Sequence, residues 1–148
     1  MIANTLSIIK ACSGRVSPRC KYFGKCGGCQ LQNASYELQL KLKSELVRDA
    51  MTRIGGFKIF GVECVPSPLP WNYRNKAAFP VQNLQGKIIT GFYRAGTHRL
   101  ELIRQCPVNA KRLNEIYGKI LDALDRERFP FDGYDERTNT GKLRHIIA

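Results

Sequence analysis

The sequence has no run of apolar residues approaching the roughly 20 needed to cross a membrane as a helix. Its N terminus, Met1–Lys10, also lacks the basic segment and long apolar core of a secretory signal. We therefore expect a cytoplasmic protein with no membrane partner. In that reducing compartment, cysteines are more often metal ligands than disulfide partners, so metal binding is the expectation here.

Acidic side chains are scarce: 12 Asp and Glu stand against 24 Lys and Arg, which gives a net charge of +12. The imbalance is concentrated in residues 1–114, which hold 18 basic and 5 acidic side chains. A basic surface of this size favours a polyanionic partner, and nucleic acid is the most direct choice. The alternative is a basic protein with no such partner, since charge alone is weak evidence.

Three of the cysteines form a compact pattern. Cys20, Cys26 and Cys29 have the spacing C-x5-C-x2-C, in which the last two thiolates can reach one metal centre. Gly27 and Gly28 between them are expected to let the backbone fold tightly, because glycine adopts positive φ without steric cost. The pattern predicts a thiolate-ligated metal site.

A fourth thiolate has to come from elsewhere in the chain. Cys106, which is followed by Pro107, can close a four-thiolate site as in several iron–sulfur proteins. Cys12 and Cys64 lie outside the pattern, and either is an alternative fourth ligand in principle. For Cys64, which lies in an apolar run, a buried inert thiol is the simpler interpretation.

Two helices are predicted. The first covers residues 33–54, where Asn33 or Ser35 can cap the start and Gly55 ends the helix. Its apolar residues recur at helical spacing and predict a face buried in the core. These residues are Tyr36, Leu40, Val47, Ala50, Met51 and Ile54. The second helix is predicted over residues 109–124 from the same kind of spacing.

Three β-type runs, Tyr73–Val81, Lys87–Tyr93 and His98–Gln105, follow a proline-rich linker and are joined by short glycine-containing connections. Such connections predict an antiparallel meander. The chain ends inside a further predicted strand, Lys142–Ala148, so we expect an incomplete domain at the C terminus. The predicted fold class is α+β: an antiparallel sheet of about three to four strands, two helices and a cysteine-ligated cluster loop.

The segment Ser17–Gln32 resembles the iron–sulfur segment of the RNA uracil-5-methyltransferases, which make 5-methyluridine in ribosomal RNA or tRNA. The resemblance continues in family order and covers roughly residues 12–148. The further blocks that carry it are Tyr36–Lys41, Trp71–Lys76, Gly91–Arg94 and Gln105–Pro107.

The resemblance implies a ligand set and a domain plan. Cys20, Cys26, Cys29 and Cys106 would ligate a [4Fe–4S] cluster. Residues 20–148 would form the truncated central iron–sulfur domain, and residues 1–19 would be a remnant or linker of an N-terminal RNA-binding barrel.

Two features of the family are missing from this chain. No glycine-rich strand–turn–helix motif can cradle S-adenosylmethionine, so this cofactor is expected only in the full-length enzyme. The Ser-Cys-Asn-Pro-like motif is also missing; its thiolate adds to uracil C6 before C5 takes the methyl group. No catalytic residue is assigned here, and we expect the chain alone to be inactive.

Arg74, Lys76 and Arg94 are the candidate RNA contacts. Arg74 and Lys76 lie at i and i+2 of a predicted strand, so their side chains would leave the same face, and Arg94 ends the next strand. Tyr73 and Phe92 offer rings for base stacking, although a core role is favoured for both. The alternative for the charges is a solvated sheet face.

Three functions remain open from the sequence. The first is the iron–sulfur, RNA-binding part of an RNA uracil-5-methyltransferase, with ribosomal RNA, most of all 23S rRNA, favoured over tRNA. The second is a four-cysteine zinc module that binds RNA, since zinc accepts the same thiolates. The third and least favoured is a small electron-transfer protein, because ferredoxins space their cluster cysteines more tightly.

Overall fold

The computed structural model describes residues 5–126 and 131–148, and confirms an α+β fold. The chain divides into two compact units. The first comprises the residues up to Pro18 together with Leu31–Pro66, and the second comprises Arg19–Gln30 and Ser67–Ala148. In the described part, no helix has the length and apolar character needed to cross a membrane. The predicted domain boundary at residue 19 concerns a longer protein and stays a prediction.

The first unit is built on helix α1, Tyr36–Asp49, which continues as a π-helical turn over Ala50–Ile54. The Ser35 hydroxyl accepts from the N–H of Leu38 at 3.3 Å, which confirms one of the two predicted caps. Gly55 is the C-cap residue, as expected. The segment before the cysteine run is tied to the helix start, because the N–H of Ser35 donates to the carbonyl of Gly14 at 2.7 Å.

The predicted core face of α1 is wrong within the described residues. No residue of α1 or of its π-helical turn is buried, and Val47 and Ile54 of the predicted face are 50% and 88% exposed. The physical reason lies in the unit itself, which contains this one helix, its π turn and irregular segments. An apolar helix face becomes a core only where a second layer covers it.

The second unit contains a three-stranded antiparallel sheet. Its central strand β1, Ala78–Leu84, pairs with β2, Lys87–Thr90, and with β5, His145–Ile147. Gln85 and Gly86 join β1 to β2 with φ of 52° and 80°, the two left-handed residues that a tight hairpin turn of this twist requires. The predicted C-terminal strand is thus confirmed and lies beside β1.

The predicted single meander is wrong, because the next two strands form a separate sheet. Strands β3, Phe92–Tyr93, and β4, Leu100–Glu101, pair only with each other among the described strands. Gly91 marks the break, and a Cβ atom there would overlap the carbonyl oxygen of Glu101. The close approach of the two chains therefore requires glycine at this position.

The core lies between the sheet and helix α2, Lys111–Arg126, close to the predicted range of 109–124. Phe79 of β1 is fully buried and stacks on Tyr117 of α2 at a centroid distance of 3.7 Å. Phe92 also stacks on Phe79, at a centroid distance of 5.0 Å, which confirms its expected core role. This aromatic stack joins both small sheets to the helix.

We expect Phe79→Ala to lower the free energy of unfolding by about 3–5 kcal/mol, since a buried ring is replaced by a cavity. Phe60→Ala is the matched control, because Phe60 is 95% exposed and its loss should change stability by no more than about 0.5 kcal/mol. Urea unfolding followed by circular dichroism measures both. Equal losses for the two variants would contradict this core assignment.

Tyr117 predicts a pH dependence. Burial raises the pKa of its phenol, an effect that the neighbouring Thr90 hydroxyl partly offsets. The phenol oxygen nevertheless has no hydrogen-bond partner among the described residues, because Thr90 Oγ1 donates to the Pro80 carbonyl at 2.9 Å. A raised folded-state pKa means that stability is fully present below the unfolded pKa and is lost as pH rises through the folded value.

Tyr117→Phe should therefore lose less stability than the wild type between about pH 7 and about pH 10.5, since phenylalanine has no proton to release. Urea unfolding at both pH values tests this. Tyr73→Phe is the control, because Tyr73 is 56% exposed. If the Tyr117 and Tyr73 variants keep the same pH slope as the wild type, Tyr117 does not carry the effect.

Candidate functional site

The cysteine loop, Arg19–Gln30, consists of successive tight turns in the second unit. The N–H of Phe23 donates to the carbonyl of Cys20 at 3.1 Å, and the N–H of Cys26 donates to the carbonyl of Tyr22 at 2.9 Å. Gly24 between these turns has φ of 85°, a conformation that side chains disfavour. The turns bring Cys20 and Cys26 back toward each other within a short stretch of chain.

The loop is fixed to the β3–β4 hairpin by its backbone. The N–H of Gly27 donates to the carbonyl of Tyr93 at 2.9 Å, and Cys26 forms a β-bridge with Arg94. A Cβ atom on Gly27 would lie 3.1 Å from Cα of Ala95. Close approach to the hairpin therefore explains this glycine. The expected positive φ was the wrong reason, since neither Gly27 nor Gly28 has one.

The four predicted ligands belong to the same unit. Cys20, Cys26, Cys29 and Cys106 are all half-buried cysteines of the second unit, and none of them is in a disulfide. Cys12 and Cys64 belong to the first unit, where Cys12 is exposed and Cys64 is half-buried, not fully buried as its apolar surroundings suggested.

Two of the four thiols have raised pKa values, for which burial is the main cause. Burial raises the pKa of Cys20, and the sulfurs of Cys106 and Cys29 raise it further against the lowering effect of backbone N–H groups. Burial also raises the pKa of Cys26, with added contributions from the other three thiols. The N–H of Gly28 opposes this shift by donating to the Cys26 sulfur at 3.4 Å.

These thiols are not in ligating positions. In residues 5–126 and 131–148, no three His, Cys, Asp or Glu side chains form a group that could hold a metal ion. The structure thus holds the four cysteines in one compact unit without forming a coordination shell among the described residues. The cysteine-ligated cluster loop, as a ligand set, stays a prediction.

A buried amide lies in the turn that follows Cys106. Asn109 is fully buried, and neither polar atom of its side chain has a hydrogen-bond partner among the described residues. The carbonyl of Cys106 accepts from the N–H of Asn109 at 3.1 Å, so the two residues share one turn. A buried polar group without a partner costs about 1–3 kcal/mol. An acceptor bound at this turn would satisfy Nδ2 of Asn109 and remove that atom's share of the cost.

The structure places the three candidate RNA contacts differently from the prediction. Arg74 and Lys76 do not share a strand, because β1 begins only at Ala78. The Arg74 backbone instead pairs outside the sheet, accepting from the N–H of Ala110 at 2.8 Å. Arg94 follows β3, and its Nε donates to Glu101 at 2.9 Å.

The three cations therefore differ in availability. Arg94 is half exposed and already pairs with a carboxylate, whereas Lys76 is exposed and Arg74 half-buried. Neither Arg74 nor Lys76 forms an ion pair within the described part of the chain. Tyr73, for which a core role was favoured, is 56% exposed. The segment before β1 thus presents unpaired positive charge beside an aromatic ring.

Sequence reasoning missed two cation–π pairs on either side of Cys20. The Arg19 guanidinium lies 5.3 Å from the ring centroid of Trp71, and Nζ of Lys21 lies 5.1 Å from that of Tyr22. The alternation of basic and aromatic residues around Cys20 was a visible signal for the second pair. The Arg19–Trp71 pair joins residues far apart in sequence, so no local pattern reveals it. Basic and aromatic side chains together form the kind of surface that binds single-stranded nucleic acid.

Comparison with known proteins gives homologues over nearly the whole chain. An uncharacterized RNA methyltransferase of Synechocystis sp. is 38% identical over 147 residues, which cover 98% of this chain and 31% of that protein. One from Clostridium tetani is 35% identical, with 99% and 32% covered. One from Halalkalibacterium halodurans is 39% identical, with 97% and 31% covered. No family model matches the chain.

These similarities confirm the predicted resemblance at the level of RNA methyltransferases. The chain is homologous to a part of such proteins, and spans about a third of the length of the curated relatives it matches.

Proposed function

We propose that this chain, homologous to about a third of the RNA methyltransferases it matches, is their iron–sulfur, RNA-binding central part. The observation that carries the proposal is the gathering of Cys20, Cys26, Cys29 and Cys106 in one compact unit of such a chain. The reaction of the whole protein is then S-adenosylmethionine-dependent formation of 5-methyluridine, with 23S rRNA as the favoured substrate, in the cytoplasm.

The residues present fit a [4Fe–4S] cluster by their chemistry. Four cysteine thiols are the donor set that such clusters take. Burial raises the pKa of Cys20 and of Cys26, and nearby thiols raise both further. The orphaned amide of Asn109 adds a hydrogen-bond donor in the turn that follows Cys106. When bound, the cluster would supply a covalent clip between the cysteine loop and the Cys106 turn.

The chain's own residues would bind and orient RNA. The surface offers the unpaired cations Arg74 and Lys76, with the Arg19–Trp71 pair as a further basic and aromatic contact. A uridine must leave its stack to be methylated at C5, which costs a few kcal/mol. RNA contacts outside the reaction centre would offset that cost. Methyl transfer itself would need parts of the relatives that lie beyond this segment.

The first test is metal content. Wild-type protein purified without oxygen should contain about four irons and four sulfides per chain and absorb visible light as a thiolate cluster does. Cys26→Ser should lose iron and unfold at lower urea concentration, because the clip is gone. Cys64→Ser is the matched control, since Cys64 lies outside the ligand set, and it should keep both properties.

Each result has a definite meaning. One zinc and no sulfide in the wild type would overturn the cluster and favour a four-cysteine zinc module instead. Loss of iron in Cys26→Ser with unchanged urea stability and unchanged RNA affinity would contradict the structural clip. Iron loss in Cys64→Ser equal to that in Cys26→Ser would contradict the ligand assignment.

The second test concerns RNA. Arg74→Ala should weaken binding of single-stranded RNA and lower the slope of log affinity against log salt by about 0.7, the value for one lost phosphate contact. Anisotropy of labelled RNA at several salt concentrations measures this. Arg137→Ala is the matched control, because its side chain is 89% exposed and pairs with Asp135.

Iron content should be equal in both arginine variants and the wild type. An unchanged slope for Arg74→Ala would remove Arg74 from the interface. Fluorescence of Trp71, the single tryptophan of the chain, reports the same complex independently, because the Arg19 guanidinium lies over its ring. RNA binding that leaves this fluorescence unchanged would place the RNA elsewhere.

A further inference from the structure

The turn that carries Cys106 has hydrogen bonds on every carbonyl. The carbonyl of Pro107 accepts from the N–H of Asn72 at 3.0 Å, and that of Val108 accepts from the N–H of Arg74 at 3.0 Å. The carbonyl of Asn109 accepts from the side chain of Asn72 at 2.8 Å. A turn held at each peptide has little freedom to move, so the backbone position of Cys106 is set before any ligand arrives.

Asn114 holds Cys106 itself by two hydrogen bonds. Its Oδ1 accepts from the N–H of Cys106 at 3.0 Å, and its Nδ2 donates to the carbonyl of Cys106 at 2.9 Å. Both polar groups of one peptide residue are thus satisfied by a single side chain. The Asn114 amide accepts one hydrogen bond from the Cys106 backbone and donates another to it. Two such bonds fix the orientation of that backbone as well as its position.

The anchor for this clamp is rigid. Asn114 lies in the first turn of α2 between its two buried residues, Leu113 at 4% and Tyr117 at 1% exposure. Tyr117 belongs to the aromatic stack with Phe79, so the helix cannot rotate without disturbing the core. The Asn114 amide is therefore presented from a fixed element, as a residue that supports a ligand must be.

We propose that Asn114 is the positioning residue of the fourth thiolate: it orients Cys106 so that its sulfur faces those of Cys20, Cys26 and Cys29. This inference rests on the proposed iron–sulfur function. Ordinary helix capping does not account for the contacts, because Asn114 reaches eight residues back to Cys106 and does not bond the free N–H groups of its own helix.

Asn72 extends the clamp toward the candidate RNA surface. It has φ of 58°, a conformation that costs energy for residues other than glycine and persists where surrounding contacts impose it. Here its N–H and its side chain both bond the Cys106 turn. The segment Trp71–Arg74 is thereby joined to the fourth ligand, and a cluster at Cys106 would stabilise the backbone that presents Arg74.

The experiment compares four versions of this 148-residue chain purified without oxygen: wild type, Asn114→Ala, Asn114→Asp and Asn83→Ala. Asn114→Asp keeps an acceptor for the N–H of Cys106 but loses the donor to its carbonyl. Asn83→Ala is the matched control, because Asn83 makes one comparable bond, from the N–H of Gly86 at 2.8 Å, in an exposed turn. The rate of iron loss to a ferrous chelator is followed by visible absorption.

Both Asn114 variants should lose iron about 10–100-fold faster than the wild type, the range for removal of a residue that supports a metal ligand. Their visible circular dichroism should also change, since it reports the arrangement of the thiolates. Asn83→Ala should match the wild type in both measurements. If Asn114 had a purely structural role, its variants would unfold at lower urea concentration, but their visible circular dichroism would not change. Their rate of iron release would also match that of the wild type when the two are compared under conditions of equal folding stability.

The outcomes separate the two proposals. Wild-type protein without iron and sulfide overturns the proposed cluster and this inference with it. A wild type that holds four irons, with Asn114 variants that release them at the wild-type rate, overturns the role of Asn114 alone. If Asn114→Ala does not fold, the result for Asn114→Asp decides. Iron loss that is accelerated equally in Asn83→Ala would also overturn the inference.

Discussion

The backbone pairing between the cysteine loop and the β3–β4 hairpin is the constraint on which the candidate site depends. The loop has no regular structure of its own, and the Gly27–Tyr93 hydrogen bond places Cys26 beside the hairpin. The far strand of that hairpin, β4, ends only five residues before Cys106. In sequence, this short hairpin lies between the cysteine loop and Cys106. The aromatic stack on Phe79 attaches the hairpin to α2 through Phe92.

Features set by local interactions were readable from the sequence. Ser35 caps α1 because its hydroxyl reaches a backbone N–H three residues on, and the periodicity of α2 follows from residues that touch the same core. The three clustered cysteines were visible by spacing alone. Each of these involves residues within one or two turns of chain.

Features set by distant contacts were not readable. The need for glycine at positions 27 and 91 arises from the hairpin backbone that approaches each one. The pairing of Arg94 with Glu101 depends on the register of β3 and β4, and the clamp of Asn114 on Cys106 depends on how α2 meets the turn. The prediction that one face of α1 is buried was wrong for a related reason. Periodicity identifies an amphipathic helix but does not identify the layer that covers it.

The pairing of β1 with β5 also has a kinetic meaning. Strand β1 meets β2 through a two-residue turn, which can form within microseconds, but Phe79 pairs with Ile146 near the other end of the sequence. Closing so long a loop costs entropy before the stabilising contacts form, and this slows folding. During synthesis the β1–β2 hairpin and α2 emerge before β5, so β1 lacks one of its two strand partners until residues 145–147 have been made. Until then the edge of β1 that pairs with β5 is open to other strands, so the three-stranded sheet is complete only once β5 has formed.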